Sequence, residues 1–299
     1  MEMIRPFIKW AGGKSRVMPK LLPYLPKTDC LIEPFVGGAS VFLNTDYRRY
    51  ILADINPDLI GMYRLATQET NYFISIAQAL FLHGNSADAY VEHRKKFNEL
   101  PAGEARAALF LYLNRHCFNG VCRYNAKGIY NVPFGKHKNP PYFPIEEIRL
   151  FAEKAKDTHT KFICAPFQHA VSVMAGSDTA IYCDPPYIPI SATANFTQYS
   201  KEPFGRAEHM RLVTSLLAAN LSHGSPVVIS NSDTPLTREI YRHFNLHSFS
   251  ARRSISSKVS QREDAKEVIG VLSTCKYCGK YACNCVQQPK HISPAYSYQ

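Results

Sequence analysis

The stretch "TAIYCDPPYIPIS", residues 179–191, decides how the chain is read. Its first half, Ala180, Ile181, Tyr182 and Cys183, is an apolar run of strand length. Pro185 has no N–H to give a sheet ladder, so the strand stops at Asp184. Open α/β sheets bind ligands at the carboxyl ends of their strands, and Asp184 falls on that edge. The paired prolines stiffen the next turn and fix the directions of the Asp184 and Pro185 carbonyls and the Tyr187 ring. The stretch sets rigid acceptors beside a flat apolar surface.

Outward from it, the strand-then-turn pattern repeats. "CLIEPFVGGASVF", residues 30–42, predicts a strand to about Phe35, a glycine turn at Gly37 and Gly38, and a helix opening near Ser40. "YILADIN" predicts a second strand ending at Asp54. Helical spacing then runs from about Pro57 to Cys117, and "NGVCRYNAKGIYNVPFG", residues 119–135, predicts a hairpin with its tip at Lys127 and Gly128. "KFICA", "TAIYC", "PVVIS", "HSFSARRSI" and "EVIGVLS" resume the strands, with helices between the earlier ones. The pattern is β-α alternation with one helical and hairpin insertion.

The chain has 299 residues, 45% of them hydrophobic, which suffices for one large α/β domain with an insertion or for two small domains. A formal net charge of +11 makes a long polyanion the simplest partner. No apolar stretch approaches the roughly 18 residues of a spanning helix, and "MEMIRPFIKW" lacks a signal peptide's apolar core. The expectation is a cytoplasmic protein with no membrane partner. Of nine cysteines, Cys30, Cys117, Cys122, Cys164 and Cys183 are scattered, mostly in apolar runs, as suits reduced, buried thiols. The others crowd into "CKYCGKYACNC". Four thiols at Cys275, Cys278, Cys283 and Cys285 suit one tetrahedral structural zinc.

The glycine turn allows close ligand approach, and an acid ending the next strand, Asp54, can hold a ribose by its hydroxyls. "GGAS" lacks the full G-x-G-x-x-G spacing of a dinucleotide site. "KWAGGKS" is no phosphate loop, because Ile8 stands where that loop needs glycine. Trp10 and Lys14 suit one wall of a nucleoside pocket, with a core role for Trp10 equally open. An exocyclic amine on adenine or cytosine is a poor nucleophile, its lone pair being delocalised into the ring. Acceptors at its hydrogens, the Asp184 carboxylate and the Pro185 carbonyl, favour a more tetrahedral nitrogen, while Tyr187 offers a stacking face.

The ordered set "FIKWAGGKS", "LIEPFVGGASVFLN", "ILADINPDLI", "LFLYLNRHCFNGVCRYN", "NVPFG" and "IYCDPPYIPISATANFTQYS" resembles the Dam family of DNA adenine-N6 methyltransferases. The resemblance covers the chain to about Ser273. It implies an α/β fold, a Rossmann-like class I methyltransferase sheet with an inserted helical plus β-hairpin DNA-recognition domain. The catalytic domain is then 1–56 and 145–273, the recognition domain 57–144, and the cysteine-rich tail 274–299. It implies S-adenosylmethionine as donor and base flipping on double-stranded DNA, at GATC, by a monomer. By that likeness Asp184, Pro185 and Tyr187 are catalytic. Trp10, Lys14, Phe35, Gly37, Asp54, Phe167 and Asp184 bind the cofactor. Lys9, Asn119, Val121, Arg123, Pro133, Lys136 and His137 resemble the base-reading set, and Arg94, Arg115, Asn125 and Asn131 the backbone contacts. Val121 stands where the pattern commonly has leucine and His137 where it has tyrosine. "CAPFQHA" lacks an acid frequent at that strand end, leaving the adenine to Phe167. Cytosine N4 chemistry at the same corner, and a DNA-binding module without catalysis, are the competing readings.

Overall fold

The structure, a computed structural model, describes residues 3–82, 84–176, 178–188, 204–252 and 264–272. Residues 189–191 of the opening stretch, the longer motif's remainder to Ser200, and the four tail cysteines lie outside them. Among the described residues seven strands form one sheet: β1 (Cys30–Glu33), β2 (Arg49–Asp54), β3 (Lys161–Cys164), β4 (Thr179–Cys183), β5 (Val227–Ser232), β6 (Asn245–Arg252) and β7 (Asp264–Leu272). Their order is β3-β2-β1-β4-β5-β7-β6. The first five are parallel, and β7 lies antiparallel between β5 and β6. β1, β4 and β5 are buried along their whole length, which explains their unbroken apolar reading. β1 is shorter than its sequence suggests, stopping at Glu33 because Pro34 has no N–H for the ladder. β3 is the edge strand, and Cys164 at its end is exposed where a buried thiol was expected.

The strand order reverses between β1 and β4. β1 continues to β2 on one side, and β4 to β5 on the other. Crossovers leave in opposite directions there and open a crevice above the carboxyl ends. The glycine turn after β1, Asp54 ending β2 and Asp184 following β4 all lie on that edge.

Between β2 and β3 come α3 (Pro57–Gln68), α4 (Thr70–Leu82), α5 (Ala87–Glu99), α6 (Glu104–His116) and α7 (Ile145–Asp157); by chain order α1 (Met18–Leu21) and α2 (Ser40–Leu43) precede them. Asn56 caps α3, its side-chain oxygen accepting the Asp58 and Leu59 N–H groups, with Pro57 preorganising the first turn. α6 is buried from Ala107 to His116 and is the hub on which α3, α4 and α5 pack. One buried apolar cluster runs from β1, β2 and β4 through α2 to α7, so the insert shares its core with the sheet. After β3 come α8 (Phe167–Met174), α9 (Arg206–His223) and α10 (Pro235–Ile240).

The predicted hairpin forms with few ladder bonds. Tyr124 and Tyr130 make one antiparallel bridge and Cys117 and Phe134 another. The tip is a turn closed by Gly128 N–H donating to Asn125 O, with Gly128 at φ +75°. The Asn125 side chain holds it, accepting the Lys127 and Ile129 N–H groups at 3.0 Å each.

Candidate active site

The corner after β4 is built from four elements. Lys14, in the short turn of helix Lys14–Arg16, is 4% exposed and donates from Nζ to Asp184 Oδ2 at 2.5 Å and to Gly12 O at 2.9 Å. Its ammonium stands 4.9 Å from the centre of the Tyr187 ring. Ser230 on β5 donates to Asp184 Oδ1 at 2.9 Å. Its single hydrogen is thus engaged, so the Tyr182 hydroxyl 2.9 Å away donates to Ser230. The Tyr187 hydroxyl donates to Glu267 Oε2 of β7 at 2.8 Å. Burial raises the Glu267 carboxyl above the usual carboxylate range and holds the Tyr187 phenol well above its ordinary value, with the Asp184 and Glu267 charges adding to the latter.

The glycine turn is built against Trp10. Gly37 adopts φ +45°, and a Cβ there would lie 2.7 Å from Trp10 Nε1; a Cβ on Gly38 would lie 3.0 Å from Trp10 Cβ. Asp54 Oδ2 accepts the Gly37 N–H at 3.2 Å and Oδ1 the Asn56 N–H at 3.0 Å. Burial pushes the Asp54 carboxyl up to about 6 against those bonds. Phe35 and Phe167 face each other at 5.6 Å, and Phe204 packs edge-on against Phe35 at 5.6 Å. Glu33, ending β1, is buried with Oε1 unpartnered, and burial lifts it to about 8.

The remaining predicted residues divide by exposure. Asn119 (φ +56°), Arg123, Pro133 and Lys136 (φ +49°) are exposed on or beside the hairpin. Val121 is half-buried. Arg123 donates from Nε to Asn131 Oδ1 at 2.8 Å and from Nη2 to Asn131 O at 3.2 Å. Lys9 is pressed against Gly120, and Asn114 of α6 grips its peptide groups, accepting its N–H and donating to its carbonyl. Its Nζ donates to Arg115 O, and burial, with the Arg115 charge, lowers its pKa. His137 lies against Gly135, and burial, then the Lys9 charge, keeps it neutral longer than a free histidine. Arg115 lies inside the insert. It is 5% exposed, donates to Phe7 O and Tyr142 O, and stacks on the Tyr142 ring. Arg94 donates to Val132 O and Asn125 closes the hairpin tip, so both side chains work within the protein.

Three features escaped the sequence reading. Ser230, Asn231 and Ser232 are buried polar residues at the end of β5, signalled only by a polar run where the strand should stay apolar. Ile55, after Asp54, is an exposed aliphatic at the crevice, and Phe118 is a 52% exposed aromatic next to Asn119.

The description "D12 class N6 adenine-specific DNA methyltransferase" matches residues 10–255. The chain belongs to this family. It is 46% identical over 272 residues to a DNA adenine methylase of Serratia marcescens, covering 91% of this chain and 99% of that one. It is 45% identical over 282 residues to one of Escherichia coli K12, covering 92% and 100%. With one of Vibrio cholerae serotype O1 it shares 44% over 274 residues, covering 91% and 98%. The chain is thus an adenine-specific DNA methyltransferase, and the family implies S-adenosylmethionine as methyl donor.

The crevice suits that donor. Backbone N–H groups, among them those of Gly37 and Asn56, hold the Asp54 carboxylate, whose acceptor capacity suits a ribose hydroxyl pair. The Phe35, Phe167 and Phe204 rings and Ile55 offer apolar surface for a purine, and the carboxylates of Asp54 and Asp184 suit a cationic ligand. Among the described residues no group of three or more His, Cys, Asp or Glu is placed to hold a metal, and no helix is long and apolar enough to cross a membrane.

Proposed function

We propose that the chain methylates the N6 amine of adenine at GATC in double-stranded DNA, on a base turned out of the duplex. The observation carrying this reading is an Asp184 carboxylate braced on both oxygens, by Lys14 and Ser230, at the mouth of the crevice beside Tyr187. S-adenosylmethionine, when bound, supplies a methyl group on a cationic sulfur. Asp184 and the Pro185 carbonyl accept the amine hydrogens and draw the nitrogen toward a tetrahedral geometry with its lone pair free. Tyr187 stacks on the base. A stacked base cannot reach acceptors sunk at a strand end, which is why the reading includes flipping. Once the methyl is attached, the nitrogen's surplus proton has Asp184 as its nearest acceptor.

The cofactor is held by Asp54 at the ribose, by Phe35 and Phe167 at the purine, and by Trp10, Gly37 and Lys14 along the glycine turn. The hairpin, within a recognition unit of residues 57–144, reads the site. Exposed Arg123, held in a fixed plane by Asn131, suits bidentate contact with a guanine edge in the major groove. Lys9, Asn119, Val121, Pro133, Lys136 and His137 lie on the same hairpin and its base. Phe118 is the kind of exposed apolar wedge that enters an unstacked step. GATC itself rests on the likeness to the Dam family. DNA from cells making the protein should resist nucleases that cut only unmethylated GATC and yield to those that require methylated GATC; the reverse pattern would overturn the site.

We further propose a monomer acting on bacterial or phage DNA in the cytoplasm. Cys275, Cys278, Cys283 and Cys285 are proposed to hold one zinc on spacing alone, to be tested by metal analysis of protein purified without chelator.

A further inference from the structure

The peptide groups on either side of Tyr187 are joined by three buried side chains. Ile188 donates its N–H to Asn231 Oδ1 at 3.0 Å. Asn231 Nδ2 donates to the Tyr241 oxygen at 3.3 Å. That hydroxyl lies 3.1 Å from His209 Nδ1, and His209 Nε2 lies 3.1 Å from the Pro186 carbonyl. Each hydrogen along this path has one direction. A carbonyl only accepts, so His209 Nε2 carries the proton and bare Nδ1 accepts from Tyr241; the Tyr241 oxygen is then left to accept from Asn231. All three residues are 0% exposed, and burial pushes His209 down to about 4, which keeps the imidazole neutral.

These residues come from three elements: His209 from α9, Asn231 from β5, and Tyr241 from the end of α10. An apolar core would fill the same space without desolvating three polar side chains. The circuit also reaches the cofactor side, because Phe204, which packs on Phe35 and Phe167, sets its edge on the His209 ring at 4.8 Å.

We propose that Asn231, Tyr241 and His209 are positioning residues for methyl transfer, forming a closed hydrogen-bond circuit that fixes the peptides flanking Tyr187 and so the plane of its ring. This rests on reading Asp184, Pro185 and Tyr187 as the catalytic corner. Misplacing positioned groups by about 1 Å costs on the order of 10²-fold in rate, while binding elsewhere on DNA and cofactor is untouched.

The test is single-turnover methyl transfer by full-length variants, with separate binding measurements for duplex DNA and S-adenosylmethionine. Tyr241→Phe removes the hydroxyl at nearly constant volume. His209→Gln keeps an N–H near the Nε2 position, and His209→Asn places its amide near Nδ1 instead. Tyr241→Phe and His209→Asn should slow transfer about tenfold or more with both affinities within about twofold, and His209→Gln should recover to within about threefold of wild type. The double variant Tyr241→Phe/His209→Asn should be no slower than the slower single. A wild-type rate for Tyr241→Phe, or equal losses in His209→Gln and His209→Asn, overturns the circuit; if His209→Asn does not fold, Tyr241→Phe decides alone. Asp184→Ala is measured alongside. Its inactivity with wild-type Tyr241→Phe sinks the circuit only, whereas an active Asp184→Ala sinks the corner itself.

Discussion

Lys14 Nζ lies 2.5 Å from Asp184 Oδ2, across 170 residues of sequence, and both groups are largely shielded from water. Removing one member of such a pair leaves the other's charge without its counterion, at about 3 kcal/mol or more for a buried pair. Lys14→Met should therefore lower the denaturation midpoint and stop turnover, while adding Asp184→Asn should restore much of the stability and none of the activity. Equilibrium unfolding of the two singles and the double measures the coupling. Strictly additive losses would mean that the pair is not coupled.

Asp54 carries a pH prediction. Burial raises its carboxyl to about 6, and the ionised form is the better acceptor for two ribose hydroxyls. Affinity for S-adenosylmethionine should be flat above about pH 7 and fall as the carboxylate protonates below pH 6, approaching tenfold per unit. Asp54→Asn should bind weakly at every pH and lose that dependence. Isothermal titration from pH 5 to 8 checks both, and a wild-type profile shared by Asp54→Asn would remove Asp54 from the site.

Gly37→Ala puts a methyl group 2.7 Å from the ring of Trp10, at a left-handed φ that costs an L residue about 1–2 kcal/mol. Trp10 is the only tryptophan, so its emission reports directly on the turn. Gly37→Ala should shift that emission to the red as the ring is displaced and weaken cofactor binding at least tenfold, with the circular dichroism of the sheet unchanged. An unaltered spectrum would mean that the ring does not rest on the glycine.

Arg123→Ala should cost discrimination of roughly 1–3 kcal/mol at one base pair. Asn131→Ala should relax the same position by less, since it leaves the guanidinium present but unbraced. Rates on the cognate duplex and on every single-substituted site separate these outcomes. Equal slowing on all of them would make Arg123 a phosphate or structural contact.

The buried parallel strands β1, β4 and β5 were legible because such strands read as apolar runs, and the stop at Asp184 because Pro185 follows it; Pro34 ends β1 in the same way, yet the sequence reading ran that strand on to Phe35. Asp54 and Tyr187 could be singled out because each lies at or just after a strand end, and Lys14 because it stands in "KWAGGKS" beside the only tryptophan. Asn231, Tyr241 and His209 were not. Their partners are 10 to 43 residues away, and only the fold of α9 and α10 over β5 brings them to Tyr187. Arg115 differs from its sequence reading in exposure. A charged residue near the end of a helix reads as surface, yet α6 is the buried hub of the insert and its arginine is internal.

The corner at Asp184 is proposed to methylate adenine N6 within GATC. Nucleoside mass spectrometry of a defined duplex, incubated with S-adenosylmethionine and either wild type or Asp184→Ala, tests it most directly. Wild type should yield N6-methyldeoxyadenosine, lost when the GATC adenine is replaced, and Asp184→Ala at least about 10²-fold less. N4-methyldeoxycytidine as the product, or comparable N6-methyldeoxyadenosine from both proteins, would contradict it.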